Sequence, residues 1–467
     1  MLEKGIGIHH SGMIPILREI VEIMISKRYI KLLFATESFA IGLDCPIKTA
    51  VFTGITKFDG NFDRYLMAHE YTQMAGRAGR RGIDTVGHVV HCNNLFRTPM
   101  LSEYKTMLGG KPQKLVSKFR ISYPLIFNLL KNGQTSNFHQ FSQKSMVQNE
   151  ITSSSQAMLD TISQLQDQIT QKTTALSVLR TPREICDKYI STQTVFKTTI
   201  NKKQRNAERE LRAMEDQYKY IKTDISSIGR LNELEAELTD LRGSYNYTQQ
   251  YLQEQTNKIC NILLGNGFIE QHSDEGQENY YTLTDLGSFS SNVAEIHPLP
   301  VVQTMVEWNY FEDFTPTQLV GLFSCFTDIK ISSDMRSSIP NSNDTFLNNK
   351  IKQIENTYLF YQDQELDEGV NTGIKYDQAL CFDIIDFSMT WCECSTETEC
   401  KSFIQNEVAS KSISVGDFTK SMLKIVTIAN EFMNISQVAC NIELQHKLNQ
   451  IEGLVLKYVT TSQSLYV

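Results

Sequence analysis

Three arginines set among glycines and alanines, in Gln-Met-Ala-Gly-Arg-Ala-Gly-Arg-Arg-Gly over residues 73–82, are the side chains here best suited to chemistry. The segment has no large apolar face, and a guanidinium cannot shed its proton to be buried neutral, so it cannot be a core helix. Arg77, Arg80 and Arg81 present planar forks of donors that match phosphate oxygens, and small neighbours let a ligand or second surface approach closely. If the segment is helical, Arg77 and Arg80, three apart, share a face. A charge run is more often a solvated face than a site. The glycines at 76, 79 and 82, which weaken a helix for no structural gain, favour the site.

The charge distribution agrees. The 467 residues carry a net charge of -8, yet between Arg64 and Arg120 ten Lys/Arg face three acids, a local balance of +7 that leaves -15 for the rest. Such asymmetry suggests one anion-handling face on an acidic body. Other candidates are weaker. Cys392, Cys394 and Cys400 invite a zinc reading, but a structural site needs four ligands, usually in C-x₂₋₄-C pairs, and the nearest histidine is His446. They read as free thiols, and no metal site is expected. His69, His88, His139, His272 and His297 are left structural, and no spacing supports a Ser/His/Asp arrangement.

The elements that must position the arginines alternate strand and helix over residues 1–100. Apolar runs at 5–10, 31–35, 49–53 and 87–92 read as strands of a parallel sheet buried on both faces. Pro15 opens an amphipathic helix through Ile16, Leu17, Ile20, Ile23 and Met24, and 65–78 reads as another. A Ser/Gln/Asn-rich stretch over 134–156 looks like a boundary. Two heptad arrays follow, Met158 to Leu179 and Leu211 to Tyr245, for which an antiparallel coiled coil is the simplest packing and a larger bundle the alternative. A helix ending near Gly265, strands at 268–271 and 280–283, and a mainly helical remainder complete the chain. The predicted class is α/β followed by mainly α. With 41% apolar residues, no apolar stretch near the length of a membrane span and no signal-like N-terminus, the reading is a soluble intracellular protein with no membrane partner.

The 73–82 segment resembles motif VI of superfamily II helicases, Q-x-x-G-R-x-G-R-x-G. Gly-Ile-His-His-Ser-Gly-Met-Ile-Pro at 7–15 is similar to motif IVa of one branch, Ala-Thr-Glu-Ser-Phe-Ala-Ile-Gly-Leu-Asp-Cys-Pro at 35–46 to its motif V, and residues 51–60 and 117–123 to the segments that follow. That branch is the exosome-associated DExH-box RNA helicases of superkiller and TRAMP type. Its helical DSHCT domain is echoed at 300–326, at Trp391 and from Ile413 onward, so the resemblance touches nearly the whole chain. It implies a partial second RecA-like domain over 1–100, a linker and first part of a winged helix over 101–135, a helical stalk (a reduced arch without its fist) over 136–256, the rest of the winged helix over 257–297 and a DSHCT-like bundle over 298–467.

By the same resemblance Arg77 and Arg80 would be arginine fingers on the ATP γ-phosphate, with Gln73 helping to position it. Gly42 and Asp44 would lie by the nucleotide, although the branch more usually has Asn at position 44. Thr36 would lie near an RNA phosphate, and His10 and Gly12 would line the RNA path. The sequence has no G-x-x-x-x-G-K-[ST] loop and no D-E-x-H pair, so it holds half of an ATPase site. The expected partners are RNA, a polypeptide carrying the first RecA-like domain, which would also supply the Mg²⁺ ligands, and an exosome-type complex. The family's strand and helix upstream of Gly5 are absent, which predicts a split or truncated product. The competing classes are a non-catalytic RNA-binding module and a coiled-coil scaffold.

Overall fold

Pro15 does begin a helix, and the apolar runs around it do form strands. The computed structural model describes residues 1–40, 47–59, 62–79, 82, 84–110, 119–136, 138–176, 180–198, 200, 202–273, 279–329, 331 and 335–461. The chain divides into two compact units, one of Met1–Val116, Ser122–Ser136 and Cys260–Val467, the other of Ser117–Ile121 and Asn137–Ile259. Among the described residues no helix is long and apolar enough to cross a membrane.

The first unit opens with β1 (Ile6–His9), α1 (Pro15–Ser26), β2 (Leu32–Ala35), β3 (Thr49–Phe52), β4 (Thr56–Phe58), β5 (Asp63–Tyr65), α2 (Ala68–Ala75), β6 (His88–His91), α3 (Leu101–Gly109) and α4 (Tyr123–Lys131). β1 lies parallel to β2 with His9 opposite Ala35, and β3 parallel to β6 with Phe52 opposite His91. The parallel pairing matches the sequence reading; burial on both faces does not. Among the described residues these are separate two-stranded pairs. Two small cores, around Val21, Ile25, Ile30 and Phe39 and around Phe52, Ile55, Leu66 and Met107, cover one side. Phe34 and Val51 on the strands remain 57% and 55% exposed.

In the second unit lie α5 (Phe138–Ser142), α6 (Met146–Leu176), α7 (Arg183–Thr198), α8 (Lys202–Gln217) and all but the last turn of α9 (Ile221–Gly265). The polar stretch before residue 156 is therefore largely helical. Its hydroxyls satisfy themselves on the preceding turn, Thr152 donating to the Gln148 carbonyl (2.7 Å) and Ser153 to Asn149 (2.8 Å). The second heptad array falls on two helices, α8 and α9. The connection before it is α7, which packs on α8 through Tyr189, Leu211 and Met214, with Ile221 at the start of α9 in the same cluster. Thr181 closes the bend by giving its buried N–H to Asp224 (3.0 Å).

The first unit resumes with the antiparallel β7 (Ile269–His272) and β8 (Tyr280–Leu283). Then come α10 (Asp285–Ser290), α11 (Pro298–Glu307), α12 (Pro316–Ser324), α13 (Thr345–Glu368), α14 (Ile385–Glu393), α15 (Glu397–Phe403), α16 (Val415–Val438) and α17 (Ile442–Val455) around one large core. The nine described cysteines are free thiols.

His297, at the start of α11, is buried and stacks on Tyr123 with ring centroids 5.5 Å apart. The Tyr376 hydroxyl gives its proton to Glu365 (2.9 Å), so His297 Nε2, 3.0 Å from that oxygen, must donate to it. Nδ1 is then a bare lone pair with no partner, and burial pushes the imidazole pKa down from 6.5 to about 3. The unfolded chain binds the extra proton between those values, so stability is full above pH 6.5 and falls as pH drops toward 3. His297→Phe is expected to flatten the decline of the urea midpoint with acid over that window. An unchanged slope would mean the imidazole takes up its proton in place.

Candidate functional site

The helix that bears Gln73 is pinned at its first turn by charge. Glu70, at its third position, accepts the Met67 N–H (2.8 Å) as a cap and takes both Arg64 Nη atoms (2.8 and 2.9 Å) as a fork-to-fork pair. Lys57 Nζ adds a contact to Glu70 (3.2 Å) and a shorter one to Glu37 (2.7 Å). Arg64 foremost, then the Met67 cap and Lys57, hold the Glu70 carboxyl down at about 2 against the opposing effect of burial. Glu37 raises the Lys57 ammonium pKa, with Glu70 adding to it. Glu37 begins a 3-10 turn, Glu37–Ala40, directly after Thr36. The other side of α2 rests on Tyr71, whose hydroxyl is 3.2 Å from His91 Nε2, while the opposite imidazole nitrogen bonds the Tyr104 hydroxyl.

The helix is shorter than the sequence suggested. It ends at Ala75, so Arg77 lies in the turn beyond, half-buried, and the shared-face argument for Arg77 and Arg80 does not apply. Glycines shape the turn beyond it. Gly79 has φ +87° and gives its N–H to the Ile47 carbonyl (3.0 Å), a conformation side chains resist. A Cβ on Gly87 would sit 2.3 Å from the Ala78 carbonyl oxygen. Gly79 thus has a structural use that the sequence reading denied it: with Gly87 it lets the turn after α2 lie against the start of β6.

Gln73 is exposed on the last turn of α2. Arg80, Arg81, Gly42 and Asp44 lie outside the described residues. Thr36 and His10 immediately follow the paired residues Ala35 and His9, so they share the carboxyl end of the β1–β2 pair, the end where open parallel sheets bind ligands. Thr36 is exposed, its N–H on the His9 carbonyl (3.2 Å) and its hydroxyl 3.0 Å from that of Ser38. Gly12 gives its N–H to His10 Nδ1 (3.2 Å), and its carbonyl accepts the Gly416 N–H (3.2 Å). Lys420 caps the same loop on the Ser11 carbonyl (2.7 Å). A Cβ at Gly416 would meet the Met13 oxygen at 2.4 Å, so the loop 11–13 is seated on the first turn of α16. Sequence reasoning missed Glu37, Lys57, Arg64 and Glu70. Of these, only Glu70 carried a local signal, an acid three residues into a helix.

No family model matches the chain. It is 48% identical over 132 residues to "Superkiller complex protein 2" of Mus musculus, which is 28% of this chain and 10% of that protein. It is also 48% identical over 132 residues to "Antiviral helicase SKI2" of Saccharomyces cerevisiae, and 49% identical over 131 residues to "ATP-dependent RNA helicase mtr4" of Schizosaccharomyces pombe. The homologues of this chain are DExH-box RNA helicases of the superkiller and Mtr4 type. The matched stretch spans only 10–12% of the length of these three relatives. The likeness thus rests on about a quarter of the chain, where the motif reading extended it to nearly the whole.

Proposed function

We propose that this chain works as the C-terminal part of an ATP-dependent RNA helicase that unwinds RNA for decay. Arg77 and Arg80 act on the ATP γ-phosphate with Gln73 positioning it, Gly42 and Asp44 lie by the nucleotide, and Thr36, His10 and Gly12 meet RNA. The observation that carries this reading is that Lys57 contacts both Glu37, the residue after Thr36, and Glu70 on the helix of Gln73, so one ion cluster joins the RNA-side turn to the phosphate-side helix. An exposed amide on α2 followed by a guanidinium fork suits the anionic oxygens of a triphosphate. ATP, when bound, supplies the phosphoryl group passed to water. This chain's share is to orient and neutralise those oxygens, while a first RecA-like domain carried elsewhere, on the same polypeptide or another, grips the phosphates and Mg²⁺.

In this reading α4, the last turn of α9 and the β7–β8 pair form a winged helix. The helices α6–α9 replace the family's arch, α11–α17 are the DSHCT-like bundle, and an exosome-type complex receives the RNA. The test is turnover. The chain alone is expected to hydrolyse no ATP above background and to bind single-stranded RNA with a salt slope that counts its phosphate contacts. Adding a polypeptide with the Walker loop and acid pair is expected to give RNA-stimulated hydrolysis. RNA binding with no turnover in the mixture would instead favour the non-catalytic module.

A further inference from the structure

Lys57 and Arg64 stand directly opposite each other on β4 and β5. Like charges so placed destabilise a strand pair unless something compensates them. Glu70 is the main compensation: one of its oxygens takes Arg64 and the Met67 N–H, the other Arg64 and Lys57, and Asp59 lies 3.8 Å from Arg64. Lys57 is not part of the Met67 cap itself, and its shorter contact is to Glu37 on the other side. A lysine is a point charge on a flexible stem, able to divide itself between two carboxylates where an arginine would lock onto one.

We infer that Lys57 is a coupling residue: shared between Glu37 and Glu70, it transmits the occupancy of the Thr36 turn to the helix bearing Gln73 and Arg77. The inference rests on the functional reading above for the placing of RNA at Thr36. A phosphate beside Thr36 raises the negative potential next to Glu37 and draws the ammonium further that way. Glu70 then relies on Arg64 and the Met67 N–H, and the first turn of α2 shifts its balance of restraint. By linkage the effect runs both ways, so a change at α2 alters affinity at Thr36 by the same factor.

The experiment is amide exchange across 68–75 in the full chain, with and without an oligouridylate single strand. In the wild type RNA is expected to change α2 exchange by about fivefold or more, the lower end of typical coupling. Lys57→Met, which keeps the stem, is expected to bind RNA within about twofold of the wild type while α2 no longer responds. Glu37→Gln should behave the same, the double variant should add nothing further, and Lys57→Arg should restore part of the response. An undiminished response in Lys57→Met overturns the inference. So does a helix already unprotected in that variant without RNA, which would make Lys57 merely structural. RNA bound by the wild type with no response at α2 overturns the coupling alone, whereas no RNA binding at all removes the functional reading along with it.

Discussion

Mixed with a polypeptide that carries the Walker loop and acid pair, the Arg77→Ala chain is expected to lose RNA-stimulated ATP turnover by about 10³-fold or more, the range an arginine finger is worth in phosphoryl transfer. RNA affinity should barely change. Backbone bonds hold the turn that bears the guanidinium: Arg77 N–H on the Met74 carbonyl (3.2 Å) and Gly79 N–H on Ile47 (3.0 Å). Arg77→Lys should recover little, since an ammonium offers a point charge where the γ-phosphate calls for a planar fork. Arg80→Ala is expected to match it from the motif alone. The opposing result is equally concrete. If turnover survives while RNA binding weakens uniformly and its salt slope falls by about one, Arg77 grips an RNA phosphate and the nucleotide assignment fails.

What the sequence made legible is what local pattern encodes. Pro15 with apolar residues at helical spacing foretold α1, four short apolar runs foretold β1, β2, β3 and β6, and their parallel pairing followed from the alternation with helices. The helices that escaped carry little periodic signal. α7 buries Cys186, Tyr189 and Thr192, a face too polar to register, and α10 and α15 are only six and seven residues long. At the candidate site the reading chose residues by motif, and the structure brings two of them, Thr36 and His10, to one strand end. It could not foresee what holds them. The loop at Ser11 to Met13 rests on Gly416 and Lys420, some 409 residues away in the case of Ser11 and Lys420, and no local pattern announces such a partner. The arginine segment misled in one respect, because motif spacing was converted to helical geometry. The helix stops at Ala75 with Gly76 as its cap, so Arg77 follows α2 instead of riding on it.

Trp391→Ala is expected to destabilise the helical bundle by about 3–5 kcal/mol, the usual loss for a large aromatic removed from a closed core. The indole is fully buried on α14, with Phe418 edge-on at 5.4 Å and Phe403 at 5.8 Å. Its Nε1 donates to the Val455 carbonyl (2.9 Å), which keeps a second donor in the Thr460 hydroxyl (2.7 Å). The loss is therefore one of packing more than of an orphaned polar group, and Trp391→Phe should cost clearly less. With Trp308 as the remaining tryptophan, its fluorescence in urea reports the same core, and the midpoint should fall with the slope nearly unchanged. Phe418 lies on the first turns of α16, whose Gly416 N–H holds the Gly12 carbonyl. A hole beneath Phe418 should therefore reach the loop at 11–13, raising exchange at Gly416 before the bundle melts. Faster exchange there, with α17 still protected, would tie the bundle's packing to the loop bearing His10 and Gly12. Uniform exchange across α16 and α17 would show the bundle opening as one body, with the loop a passive passenger.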